Sequence, residues 1–334
     1  MPQTRTNKFI RRALCVLFLA PFSISSFAQT LALAEPSTLD EATAAISYNV
    51  PHLVFEKNLQ PISYSENDSR RALNALKHDA LIQHAALRSE IAFVQDLESS
   101  TVLYQKNSDA VRPIASISKL MTALVVAESG LPMDEMLEII DEDVDRVKHS
   151  SSRLSVGSKL SRADMMHLAL MSSENRAAHA LGRSYPGGLP AFVRAMNDKA
   201  RALGMRNTRF VEPTGLSSDN VASPRDLVKL LTATSQHARI QRYTTNDQYS
   251  VQPVRGRQLV FNNTNRLVKN ANWDIQVSKT GFINEAGECL VMLTKIEDRE
   301  VAIVLLNSSG RYSRIGDAVR IRDLVEKSNG LAML

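Results

Sequence analysis

Pro113-Ile114-Ala115-Ser116-Ile117-Ser118-Lys119 places a serine and a lysine three residues apart, at the start of a stretch from Ser116 to about Glu128 that reads as a helix stopped by Gly130. Positions three apart on a helix share a face, so the Lys119 amine can reach the Ser116 hydroxyl. A serine is a poor nucleophile until a base takes its proton. A lysine is such a base only when its pKa falls, and burial or a nearby positive charge lowers it. The helix start also favours negative charge developing at Ser116. A serine–x–x–lysine arises by chance about once in a chain this long. Its meaning therefore rests on what accompanies it.

Two further elements follow in order. Ser173-Glu174-Asn175 closes an apolar run, Met165 to Met171, that opens with a capping box at Ser161 and Asp164. A serine there can relay protons, and an asparagine can hold a peptide carbonyl or position Lys119. Ser65-Glu66-Asn67 and Ser218-Asp219-Asn220 share the pattern. The first precedes the serine–lysine pair in a polar leader. The second follows Gly215 in a polar segment before a helix cap at Ser223, which predicts a surface loop. Ser173 and Asn175 are therefore preferred, and an Asn220 substitution is expected to behave as a surface change. The third element is Lys279-Thr280-Gly281 at the end of an apparent strand, Trp273 to Ser278. Lys279 offers a positive charge for a carboxylate and a neighbour that lowers the Lys119 pKa, and Thr280 can hydrogen-bond the same carboxylate. Gly281 lets an extended peptide lie against the strand edge.

Short β-type runs at Ala92–Val94 and Thr101–Tyr104 precede the serine. Helix signals fill the middle, including one opened by Pro190 with Phe192, Met196, Ala200 and Leu203 on one face, and one opened by Ser223, Pro224 and Asp226. Strands return at Cys289–Thr294 and Val301–Leu306 across the turn Glu297-Asp298-Arg299, and Arg314–Lys327 reads as a last helix. Strands, helices, then strands predict an α+β fold, a sheet with a helical region inserted between its parts.

The three elements in this order are those of penicillin-binding proteins and class A β-lactamases. With their flanks, and with Asn207 to Leu216, the chain from about Ile91 to Leu324 closely resembles the penicillin-binding protein 7 group of D-alanyl-D-alanine endopeptidases. The resemblance implies a β-lactamase/transpeptidase-like fold, an antiparallel sheet flanked by helices with an all-helical subdomain. It implies catalytic Ser116, Lys119 and Ser173, and substrate-binding Asn175, Lys279, Thr280 and Gly281. It also implies an oxyanion hole from the backbone N–H groups of Ser116 and Phe282, without cofactor or metal. The activity implied is cleavage of D-alanyl cross-links of peptidoglycan through an acyl-enzyme on Ser116, blocked by β-lactams. Trimming of terminal D-alanine, and a non-catalytic penicillin-binding peptidoglycan module, are the alternatives. Glu212-Pro213-Thr214-Gly215-Leu216 begins like the deacylating E-x-x-L-N pattern of class A β-lactamases but lacks its Leu-Asn pair, which argues against efficient β-lactam hydrolysis.

The remaining features set the compartment. The chain has 334 residues, 44% apolar. Arg5, Lys8, Arg11 and Arg12, an apolar run from Ala13 to Phe22, and Ser26-Phe27-Ala28 make residues 1–28 a secretory signal. Removing those four basic residues takes the charge from +5 to +1, with no basic stripe for nucleic acid. It also removes Cys15 and leaves Cys289 alone, on an apparent core strand. The expected organisation is a leader over residues 29–85, a catalytic domain over 86–327 and a tail over 328–334, working in the periplasm without a membrane anchor.

Overall fold

The computed structural model describes residues 87–254 and 256–332. The signal, the leader and the Ser65 motif lie outside the described residues. Five strands form one antiparallel sheet: β1 (Ser89–Asp96), β2 (Val102–Lys106), β3 (Asp274–Ile283), β4 (Gly287–Ile296) and β5 (Arg299–Ser308). Their order across the sheet is β2-β1-β5-β4-β3, so the first two strands join the last three through β1 and β5. The strand–helix–strand order in the chain thus becomes one continuous sheet, with β3 at an edge.

Alternation along the strands explains why both faces are covered. Ile91 and Phe93 on β1, Val291 and Leu293 on β4, and Ala302, Val304 and Leu306 on β5 pack into the larger core, shared with the helical region. Their neighbours Ala92, Val94, Leu290, Met292, Val301, Ile303 and Leu305 point the other way, onto Ala318, Ile321, Leu324 and Val325 of the helix Ser313–Ala332. β4 and β5 join through Glu297 and Asp298, both in the left-handed region (φ 49° and 63°), the geometry of a tight hairpin.

The helical region lies between β2 and β3 in the chain. At its centre runs the helix Ser118–Glu128, with every residue from Ser118 to Val126 buried. Around it are Arg162–Met171, Asn175–Arg183, Gly188–Ala202, Pro224–Ser235 and Ala238–Thr245. The expected caps hold: Ser161 and Ser223 accept hydrogen bonds from the backbone N–H of Asp164 and Asp226.

Among the boundaries that differ from the sequence reading, three change how the chain is read. Ser116 sits on a 3-10 turn, Ala115–Ile117, ahead of the α-helix, because the chain must leave a short extended pair, Arg112–Pro113 with Val221–Ala222, before it can coil. β3 continues through Lys279, Thr280 and Gly281 to Ile283, because these residues pair with Val291, Leu290 and Cys289 of β4. The last helix passes Lys327 and ends at Ala332, so residues 328–332 continue that helix.

One polar node fixes the last helix to the sheet. The fully buried Asp317 carboxylate accepts hydrogen bonds from the backbone N–H of Arg88 (3.1 Å) and Ser89 (2.7 Å), from the Ser89 hydroxyl (2.6 Å) and from Arg320 (2.9 Å). Asp317→Ala would strand these donors, and an unmatched buried partner typically costs about 1–3 kcal/mol. The variant is expected to lose about 2–4 kcal/mol of unfolding free energy in urea titration, whereas Asp323→Ala, with no such node, should change it by less than about 0.5 kcal/mol.

Candidate active site

The site is built around one buried amine. Lys119, fully buried in the first turn of its helix, donates from Nζ to Ser116 Oγ (2.8 Å), Asn175 Oδ1 (2.7 Å) and the Thr214 carbonyl (2.5 Å). Burial lowers its pKa to about 7, against the opposing pull of the Glu212 and Glu174 carboxylates. Of the two causes expected from the sequence, burial leads at Lys119, and the repulsion between the two lysines is felt at Lys279. A second buried amine, Lys279, donates to Ser173 Oγ (3.0 Å) and the Thr280 carbonyl (2.8 Å). Its pKa is held well below the usual lysine range by burial, then by the charges of Lys119 and Arg314.

The residues singled out from sequence converge here. Ser116 is partly exposed at the mouth of the site. Asn175 begins the helix Asn175–Arg183, its Oδ1 on Lys119 and its Nδ2 donating to Ser150 Oγ (2.8 Å). Ser173 lies between two helices at φ 62°, and its hydroxyl accepts from Lys279 Nζ. Such a backbone costs a residue with a side chain on the order of 1 kcal/mol or more and is kept where the surroundings demand it. Thr280 turns its hydroxyl to Thr264 (2.6 Å), which is tied in turn to the end of the helix Arg162–Met171 through Met171. Phe282, next on β3, is 55% exposed.

Two glycines explain how the Ser116 turn fits between distant parts of the chain. A Cβ on Gly215 (φ 83°) would lie 1.9 Å from the Ala115 carbonyl oxygen. A Cβ on Gly281 would lie 3.0 Å from both Ala115 Cβ and Ser116 N. The backbone of this turn is thus held between the loop 212–217 and the edge strand, and Ala115 itself adopts φ 48°.

The sequence reading put Ser218 and Asn220 in a surface loop, and the structure corrects this for Asn220. It is fully buried: Oδ1 accepts from Val211 N (2.8 Å), and Nδ2 donates to Ser118 Oγ (3.0 Å), the Glu212 carbonyl (2.8 Å) and Glu212 Oε1 (3.0 Å). Ser218 is partly exposed and lines a cavity of about 520 Å³ beside Asn175 and Thr214. The burial was invisible because the hydrogen-bond partners of Asn220 are backbone groups, the Glu212 carboxylate and a serine 102 residues away. Glu212, Thr214, Gly215, Ser150, Thr264 and Arg314, whose guanidinium donates to the Gly281 carbonyl (3.0 Å), were missed as site residues for the same reason. The Glu212 carboxylate accepts from the backbone N–H groups of Thr214 and Gly215 (both 2.6 Å), so it is engaged by its own loop. Cys289 is buried opposite Gly281, and burial raises its pKa to about 11, far from a reactive thiol.

A serine within reach of a buried, weakly basic lysine, flanked by a second lysine on an edge strand, defines a serine acyl-transfer enzyme of the penicillin-recognising kind. The family model described as D-alanyl-D-alanine carboxypeptidase, peptidase S11, matches residues 78–310, and the chain belongs to that family. It is 51% identical over 241 residues to a D-alanyl-D-alanine endopeptidase of Pseudomonas aeruginosa, covering 72% of this chain and 78% of the relative. It is 50% identical to the protein of the same description from Escherichia coli K12, with the same coverage. Among solved structures, a Streptomyces DD-transpeptidase superimposes with a TM-score of 0.67 at 27% identity, over 72% of this chain and 97% of that one. Penicillin-binding protein D2 of Listeria monocytogenes, in an ampicillin-bound form, does so with a TM-score of 0.61 at 30% identity, over 71% and 97%. These likenesses bear out the expected fold and peptidase class. Among the described residues, no helix is long and apolar enough to cross a membrane.

The close approach at Gly215 and the burial of Asn220 each predict a folding defect. Gly215→Ala is expected to cost at least about 3 kcal/mol, because its methyl group has only a backbone carbonyl to displace. Asn220→Ala should cost about 2–4 kcal/mol by removing the partner of the Val211 N–H and of the Glu212 carbonyl, and one of the two partners of Ser118 Oγ. Both are read from thermal melting, and a wild-type melting temperature for either would contradict the packing described.

Proposed function

We propose that the protein cuts D-alanyl cross-links of peptidoglycan in the periplasm, with Ser116 as nucleophile and Lys119 as its base. The observation that carries the reading is the Lys119 amine, dry, weakly basic and 2.8 Å from Ser116 Oγ. Two relatives half-identical to this chain are described as D-alanyl-D-alanine endopeptidases. That description favours cross-link cleavage over trimming of terminal D-alanine, which is the second reading. An intact Ser116–Lys119 contact argues against a non-catalytic binding module.

The steps follow from the residues. Neutral Lys119 takes the Ser116 proton as Oγ bonds to the carbonyl carbon of the D-alanyl residue. The backbone N–H groups of Ser116 and Phe282 are the donors for the oxyanion, a role supported by the approach of Ser116 N to Gly281 on β3. The C–N bond then breaks, and the leaving amine takes a proton from Lys119, with Ser173, whose hydroxyl accepts from Lys279, as the relay. Water attacks the resulting ester, giving a proton to Lys119, and, as the bond between the carbonyl carbon and Ser116 Oγ breaks, Lys119 returns that proton to Oγ, releasing the acid and free Ser116. Lys279, with Thr280, meets the carboxylate beside the scissile amide. That negative charge favours the proton on Lys279, and two like charges in one buried site repel, so substrate binding helps keep Lys119 neutral. Gly281 and the edge of β3 leave room for an extended peptide.

β-Lactams imitate the D-alanyl amide, so a penicillin is expected to add once to the mature protein, at Ser116 by peptide mapping, and not at all to Ser116→Ala. A base must be deprotonated to act, so the acylation rate should rise with pH to a midpoint near 7 in wild type. Lys119→Ala should lose the rate by at least about a hundredfold. With a cross-linked muropeptide dimer, mass spectrometry should find two monomers and the uptake of one water. Loss of a single alanine from the dimer would instead establish the carboxypeptidase reading, and an unchanged dimer would reject both.

A further inference from the structure

We propose that Glu212 and Asn220 are positioning residues for the Lys119 amine, holding the loop 211–217 so that the Thr214 carbonyl aims that amine at Ser116. The proposal rests on the reading of Lys119 as the base. Glu212 gathers the loop onto itself: its carboxylate accepts from Thr214 N and Thr214 Oγ1 (both 2.6 Å), Gly215 N (2.6 Å), Ser217 N (3.3 Å) and Asn220 Nδ2 (3.0 Å). The carbonyl of Thr214, at the middle of this loop, is the acceptor 2.5 Å from Lys119. The adjoining Pro213 carbonyl accepts from Thr122 on the Lys119 helix (2.7 Å), a second attachment of the same loop.

Asn220 joins that loop to the Ser116 turn. Its Nδ2 reaches Ser118 Oγ, and Ser118 Oγ donates to the Ala115 carbonyl (2.9 Å). Its own carbonyl accepts from Ile114 N (3.1 Å). Asn220 thus ties to the residues flanking the Ser116 turn, Glu212 ties to the residue that supplies the lysine's carbonyl partner, and the two are bonded to each other. Each hydrogen bond to the Glu212 carboxylate among the described residues comes from a neutral donor, so its negative charge remains felt at Lys119. That charge holds the amine's pKa up against burial, which lowers it. A neutral side chain of equal size would supply neither the charge nor enough acceptors, since two of its hydrogens would face backbone N–H groups.

The test is the acylation of Glu212→Gln by a fluorescent penicillin across pH, on protein shown to be folded by thermal melting. The first-order acylation constant is expected to fall at least about tenfold, the scale of disturbing one positioned group. Apparent penicillin binding should change by less than about twofold, because the Glu212 carboxylate is engaged by donors of residues 214–220. The midpoint of the rising limb should move to lower pH. A wild-type rate and midpoint would overturn the proposal. So would a lower rate with an unmoved midpoint, because a brace that does not act through Lys119 gives that result. If Glu212→Gln does not fold, Ser118→Ala carries the test, since it removes one link of the same network without a change of charge. It is expected to slow acylation about threefold or more, and an unchanged rate would overturn the proposal. Lys119→Ala separates the two failures: near-wild-type acylation in that variant rejects the underlying base assignment, whatever Glu212→Gln does.

Discussion

A lysine amine taken fully out of water is the constraint around which this domain is arranged. A buried ammonium is costly unless it is paired and hydrogen-bonded, so such a group either finds acceptors or gives up its proton. Lys119 does both in part. It has three oxygen partners, from the turn before it, the helix 56 residues on and the loop 95 residues on. Its pKa is lowered to about 7. The three acceptors come from three separate elements, so forming the site requires that the helical region be closed around the Ser118–Glu128 helix. Stability and chemistry are therefore coupled at this side chain.

The second requirement is steric. The turn that carries Ser116 is pressed on one side by Gly215 and on the other by Gly281, with space for no β-carbon at the first and little at the second. Close backbone approach of this kind brings main-chain N–H groups into a reaction centre, where fixed dipoles stabilise developing charge without having to reorient. It also explains the left-handed backbone at Ala115, a conformation that side-chain-bearing residues rarely adopt unless packing dictates it. On the strand side, Arg314 reaches the Gly281 carbonyl and pairs with Glu288, which anchors the β3–β4 edge to the last helix.

The sequence made the elements and the three motifs legible for local reasons. Caps at Ser161 and Ser223, the apolar run 165–171 and the alternation on β4 and β5 are short-range patterns that survive into the fold. Ser116 and Lys119 were readable because three residues separate them. What stayed hidden depends on contacts across the chain. Asn220 looks like a turn residue from its neighbours, yet its partners include Ser118, which no local pattern couples to it. The extent of β3 was underread because a charged Lys279 and a glycine end an apolar run in sequence, while pairing with β4 continues through them. Gly215 could have been singled out only by knowing that Ala115 passes beneath it. The pattern that begins at Glu212 was weighed as a deacylation signal, whereas its carboxylate is spent on the loop's own N–H groups.

The central claim is that Lys119 is neutral over half of its molecules near neutral pH because it is dry. It is tested most directly by NMR titration of the protein carrying lysine labelled with carbon-13 at Cε, since that carbon reports the protonation of the adjacent amine. One resonance is expected to titrate with a midpoint near 7 and to be absent from Lys119→Ala. If every lysine resonance titrated near the ordinary value of about 10.4, the amine would be charged in the resting protein and the account of the site would be wrong.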